Sequence, residues 1–174
     1  MHIRAALAVP AVSAAAAALL LAAPPSRAVT GPAGTTPCAE RSLTVRAKAV
    51  PGTPSVVRMS VTNRRGRTCT VDRVPTVTFA SLDGAALPVP AGATGGYRLA
   101  AGRTAYADVR TIGDPADPEA RRTGSLTVAA SAAHPGRSFA AARLGTGQRI
   151  LVWEPVTTWW QPTAAAADRA VGLS

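Results

Sequence analysis

Nucleophilic catalysis needs a nucleophile, a base within hydrogen-bond reach and a group that orients the base. After its first 28 residues the chain holds one histidine, His134, in an Ala-Ala-His-Pro-Gly run, and it has no Gly-x-Ser-x-Gly stretch. A histidine next to proline in such a turn reads as solvated. Glycoside hydrolysis needs paired carboxylates, yet Asp72, Asp83, Asp108 and Glu154 occur singly. Asp114, Asp117 and Glu119 gather in one segment and carry the oxygen ligands that Ca²⁺ prefers. Arg121 and Arg122 follow them closely, which makes a solvated loop of mixed charge the better reading. Gly95-Gly96 lacks the strand, helix and lysine of a phosphate cradle. The expectation is a protein without enzymatic activity, metal or cofactor.

Recognition chemistry is better represented. Arg64, Arg65, Arg67 and Arg73 form the densest basic stretch. They suit an anionic partner such as a phosphate- or uronate-bearing wall polymer, against the plainer reading of a hydrated turn. Trp153, Trp159 and Trp160 fall together in ILVWEPVTTWWQP. Indoles can stack on sugar faces; alternatively one packs into the core and another seals an open end. Trp159 and Trp160 are the second candidate surface.

The start of the chain sets the compartment. Met1-His2-Ile3-Arg4 is a short positive start, Ala5 to Ala23 is apolar, and Pro24-Pro25 then breaks the run. Ser26-Arg27-Ala28 completes the pattern of a secretory signal peptide cleaved after Ala28. No later stretch approaches a transmembrane span, and Cys38 lies too far downstream to serve as a lipoprotein cysteine. Seventeen basic and nine acidic side chains remain after residue 28, a net charge of +8. Outside the cell that charge does not point to nucleic acid. Cys38 and Cys69 are the only cysteines, and in an oxidising compartment an isolated pair is most simply one disulfide. A pair of metal-binding thiolates would need further ligands, and His134 is distant in sequence.

These residues must be held by strands. Residues 29–37 read as a flexible leader. Arg41 to Lys48 alternates, with Leu43, Val45 and Ala47 on one side and Thr44, Arg46 and Lys48 on the other, the period of a half-buried strand. Val57, Met59 and Val61 repeat the pattern, and Asn63 to Arg67 turns the chain toward Cys69 as the tip of a hairpin. Pro75 predicts an edge, bulge or bend before Val77 and Phe79. Ala86 to Gly96 is irregular. Arg103 to Ile112 alternates, Gly113 to Gly124 reads as a surface loop, and Leu126, Val128 and Ala130 face one way. Ser138 to Leu144 returns as a partner strand, and Ile150 to Trp153 is the last clear one. Residues 161–174 read as a frayed Ala-rich tail, because eight helix-compatible residues are marginal alone. Such spacing fits a two-sheet antiparallel sandwich over residues 38–160.

The order of these elements resembles a known family. Cys38, Leu43, Val61-Thr62-Asn63, Thr68-Cys69-Thr70-Val71, Val74-Pro75-Thr76-Val77, Asp83-Gly84 and Leu99-Ala100-Ala101-Gly102-Arg103-Thr104-Ala105 are similar in succession to domain of unknown function 4232, a family of exported, mostly actinobacterial proteins. The bend at Pro75 lacks that family's glycines and tyrosine, Ala101 stands for its proline, and the second cysteine pair that members often carry is absent. The resemblance implies an immunoglobulin-like β-sandwich and export, and it implies no activity. The resulting expectation is a secreted binding or structural module of the envelope or extracellular space, contacting an anionic polymer or an extracellular protein. The alternative is a secreted protease inhibitor that presents Ala86 to Gly96.

Overall fold

The computed structural model describes residues 36–92 and 94–173; the expected signal peptide and the leader up to residue 35 lie outside the described residues. A 3-10 turn (Glu40–Ser42) leads into β1 (Leu43–Val50) and β2 (Thr53–Asn63). Then come β3 (Cys69–Asp72), β4 (Thr76–Phe79), β5 (Leu82–Ala85), β6 (Leu87–Val89), β7 (Gly96–Leu99) and β8 (Thr104–Arg110). The C-terminal part contributes β9 (Arg121–Thr123), β10 (Ser125–Ala129), β11 (Arg137–Ala140), helix α1 (Ala141–Leu144), β12 (Ile150–Val152), β13 (Val156–Thr158) and helix α2 (Ala164–Val171).

Two main sheets form the expected sandwich. One is five-stranded in the order β1-β2-β8-β13-β6; the other is four-stranded, β11-β10-β4-β5. The ribbons β9-β12 and β3-β7 complete it. All pairings are antiparallel except β13 with β6. The inward face of β2 is Val57, Met59 and Val61, set opposite Val109, Ala107 and Ala105 of β8. Small alanines beside Met59 and Val61 leave room for Val77 and Phe79 of β4 and Leu126 and Val128 of β10, all in one buried cluster.

The expected hairpin is corrected. β2 pairs with β1 and β8, whereas β3 pairs with β7, so residues 64–68 arch from one layer to the other. Asn63 is the cause. Its backbone N–H donates to Arg103 O (3.0 Å) and its carbonyl accepts from Gly102 N (2.9 Å), which leaves no ladder for β3. Its buried side chain donates to Arg67 O (2.8 Å) and Leu99 O (3.0 Å) and accepts from Arg65 N (2.9 Å). That set of bonds folds the arch in the manner of an Asx turn. The bend at Pro75 is present, and there the chain passes from the β3-β7 ribbon to the four-stranded sheet.

Other expectations also change. The leader is fixed at its end, because Cys38 N donates to Thr70 O (2.9 Å) and Thr70 N donates to Thr36 O (3.0 Å). The loop Gly113 to Gly124 ends in strand β9, and the returning strand from Ser138 becomes α1 after Ala140. Residues 161–173 do not fray. Thr163 Oγ1 caps α2 by accepting from Ala166 N (3.2 Å), and Gly172 closes it in the left-handed region at φ 87°. Ala167 and Val171, one turn apart, are buried. Packing on β8 stabilises a helix too short to persist alone.

Candidate functional site

Cys38 and Cys69 form the expected disulfide (S–S 2.08 Å, Cα–Cα 5.0 Å), which ties the start of the domain to β3. The arch it supports exposes Arg64, Arg65 and Arg67. Arg64 Nη2 donates to Arg41 O (3.0 Å), while Arg65 and Arg67 flank a cleft beside the disulfide. Arg73 does not join them. It lies beyond the far end of β3, its guanidinium 5.0 Å from the centre of the Trp159 ring, and Trp159 Nε1 donates to Pro90 O (2.9 Å). Trp160, expected on a recognition surface, instead packs in the core with 2% of its surface exposed. The two stretches proposed from sequence thus meet at one pair, Arg73 and Trp159.

Among the described residues the candidate titratable groups lie apart from one another. His134 Nε2 lies 3.0 Å from Cys38 O, with no carboxylate hydrogen-bonded to the ring. Glu40 and Asp72 accept from Gly136 N (2.9 Å) and Ala132 N (2.7 Å), anchoring the loop around His134. Asp114 and Asp117 accept from Ala116 N (2.9 Å) and Glu119 N (2.8 Å), each closing its own turn.

Sequence reasoning missed the larger basic surface. On the outer face of the five-stranded sheet, Arg46 pairs across to Ser60 and on to Tyr106. In the next row Lys48 pairs with Arg58, and Arg58 with Asp108. Arg137 of β11 reaches over from the second sheet; its Nη1 lies 3.5 Å from Val45 O and its guanidinium 5.4 Å from the Phe139 ring centre. Arg46, Lys48, Arg58, Arg137, Tyr106 and Phe139 line one open groove. Like charges directly opposite on neighbouring strands are destabilising, and the Lys48–Arg58 pair is such a case. The alternation of β1 put Arg46 and Lys48 on a solvent face. Their assembly with Arg58 and Arg137 depends on strand order, which a single sequence does not carry.

Arg58 is held from behind. Its Nε lies 3.3 Å from Asp108 Oδ1 and its Nη2 bonds Asp168 Oδ1 on α2. Asp108 has no exposed surface, and its Oδ2 has no partner. Burial pushes the Asp108 carboxyl up to about 6, although Arg58 pulls the other way. Among the described residues Arg46, Lys48 and Arg137 form no ion pair. The groove therefore presents Arg46, Lys48 and Arg137 without an ion-pair partner, beside two aromatic rings and an Arg58 already paired from behind.

No curated protein and no solved structure matches the chain. A family model described as a domain of unknown function (DUF4232) matches residues 38–160, from the first cysteine of the disulfide to the buried Trp160. The chain belongs to that family.

Proposed function

We propose that the protein is a secreted, non-enzymatic binding module, and that its ligand is an extended anionic polymer lying in the groove across β1, β2 and β8. The single observation behind this reading is the row that sets Lys48 directly against Arg58, with Arg46 and Arg137 in the same groove. A repeating anion offsets the repulsion by sitting between the cations, and Tyr106 and Phe139 supply apolar faces for the polymer backbone. Arg64, Arg65 and Arg67 continue the positive field: Arg64 N donates to Ser42 O (2.9 Å), just before β1 starts. A phosphate- or uronate-bearing wall polymer has the required charge, and the disulfide suits export.

Polygalacturonate and inorganic polyphosphate serve as probes. Retention on immobilised polymer should fall steeply as salt rises from about 0.05 to about 0.5 M, where the Debye length shrinks several-fold. The variant combining Arg46→Ala, Lys48→Ala and Arg137→Ala should lose binding, while Arg73→Ala keeps most of it. Retention indifferent to salt and to the triple variant removes the reading.

One observation favours a second reading, protease inhibition. Leu87 is 66% exposed on β6, within the segment singled out for that role. Its neighbours pair with β13, which offers a side chain on a backbone already held in place. Inhibition of a serine or metalloprotease that Leu87→Ala abolishes supports it; no inhibition across such a panel dismisses it.

A further inference from the structure

A second concavity, lined by other elements, lies between the β4–β5 turn and the β12–β13 connection. Phe79 and Leu82 give it an apolar floor, Trp153 a half-buried wall, and Asp83, Arg121 and Glu154 a polar rim. Its volume is about 300 Å³, the lower end of the range for small-molecule sites. That is room for one ring system. Trp153 is anchored by its backbone N–H donating to Thr111 O (2.9 Å). Glu154 follows at φ 44°, the only non-glycine with positive φ among the described residues. A glutamate is disfavoured there, and the residue lines the same concavity as Asp83 and Arg121. None of these three side chains is used in an ion pair among the described residues.

We propose that this pocket binds a single neutral pyranose ring. An indole face beside an apolar floor takes the C–H face of a sugar. Two carboxylates accept from hydroxyl groups, and one guanidinium donates to a ring or hydroxyl oxygen. The local charge of two acids against one base repels a uronate or phosphate, so the preferred ligand is opposite in kind to that of the basic groove. The two sites share no lining residue, and the pocket stands or falls independently of the groove.

The test is a titration of the full exported domain with glucose, galactose and N-acetylglucosamine, each as free sugar and as the end residue of a short oligosaccharide. Glucuronate is the charged control. The readout is the Trp153 indole N–H signal, assigned by its loss in Trp153→Phe. At least one neutral sugar should shift that signal saturably in the millimolar range, and glucuronate should not. A better response to the oligosaccharide identifies a glycan end; an equal response identifies a free sugar. Trp153→Ala, which abolishes that signal, should weaken binding about tenfold when the titration is followed instead by the backbone amide signals of Leu82 and Asp83, the scale of one aromatic stacking contact. Should that variant misfold, Glu154→Gln and Asp83→Asn, both at exposed positions, carry the same test and should each weaken binding. An unmoved indole signal with every neutral sugar, an equal shift with glucuronate, or rim variants that bind as tightly as the parent would overturn the proposal.

Discussion

The outer face of the five-stranded sheet has two halves, and Arg58 stands at their border. Toward β8 and β13 the face is covered: α2 and the segment before it lie over Asp108 and Thr158, both fully buried. Toward β1 the face is open, and it carries Arg46 and Lys48 in solvent. One cross-strand row therefore runs from a solvated lysine through Arg58 to a buried aspartate. The covered half gains apolar contacts and a cap, and its cost is one carboxylate out of water. The outward side chains of the open half gain no burial, and Lys48 faces the like charge of Arg58, a repulsion that Asp108 and Asp168 offset only in part. Where a surface costs stability without structural return, function is the usual reason it persists.

The strongest way to break this contrast is to undo the cover. Ala167→Asp sets a carboxylate against the part of β8 where Ala167 is fully buried. A newly buried charge without a partner costs several kcal/mol, but the loss is capped by the free energy with which α2 docks. An expected destabilisation of ~3–4 kcal/mol follows, measured by denaturant unfolding. Amide exchange should rise throughout α2 while β2 and the disulfide-linked strands stay protected. The open groove should keep its polymer, held somewhat more tightly because Arg58 loses Asp168 as α2 undocks. If β2 loses protection along with α2, the cover is part of the core and the two halves are not separable.

This division also marks how far the sequence could be read. The open half was legible in its parts, because Leu43/Val45 against Arg46/Lys48 and Val57/Met59 against Arg58/Ser60 alternate cleanly. The disulfide and the bend at Pro75 were legible for local chemical reasons. The covered half was not. Residues 164–171 are a weak helix whose stability comes from contacts with β8, more than fifty residues away in the chain. Strands β6, β9 and β13 have three residues each, too few for a period to appear. In the sequence the arch reads as a hairpin because Asn63 resembles any turn asparagine; its partners Leu99, Gly102 and Arg103 lie more than thirty residues away. The basic groove joins two sheets and the Trp153 pocket joins two turns, so each is a product of topology.

Asp108 gives the second test, through pH. Its folded value of about 6 stands above the ordinary 3.8 because burial disfavours the charge. The folded state thus binds a proton more tightly than the unfolded chain. Asp108 therefore imposes no penalty below about pH 4, a growing one between about 4 and 6, and a full one above about 6. Two pH units correspond to about 3 kcal/mol. Asp108→Asn removes that slope, so the difference in stability between variant and parent should shift in the variant's favour from pH 4 to pH 7. A difference that stays constant with pH would mean that Asp108 is charged in the folded protein throughout.

The smallest expected effect discriminates best. Lys48→Glu exchanges a like-charge neighbour of Arg58 for an opposite one at a directly paired position. Cross-strand charge pairs are worth roughly 0.2–1 kcal/mol, and Arg58 already has Asp108 and Asp168 as partners, so a gain of about 0.5 kcal/mol is expected. The same substitution places a negative charge in the groove, and binding to polyphosphate or polygalacturonate should fall by more than the loss of one cation alone. Higher stability together with lost binding is the signature of a residue kept for its ligand. A Lys48→Glu protein that binds as before would make the open half an ordinary solvated face and leave the repulsion across β1 and β2 without a purpose.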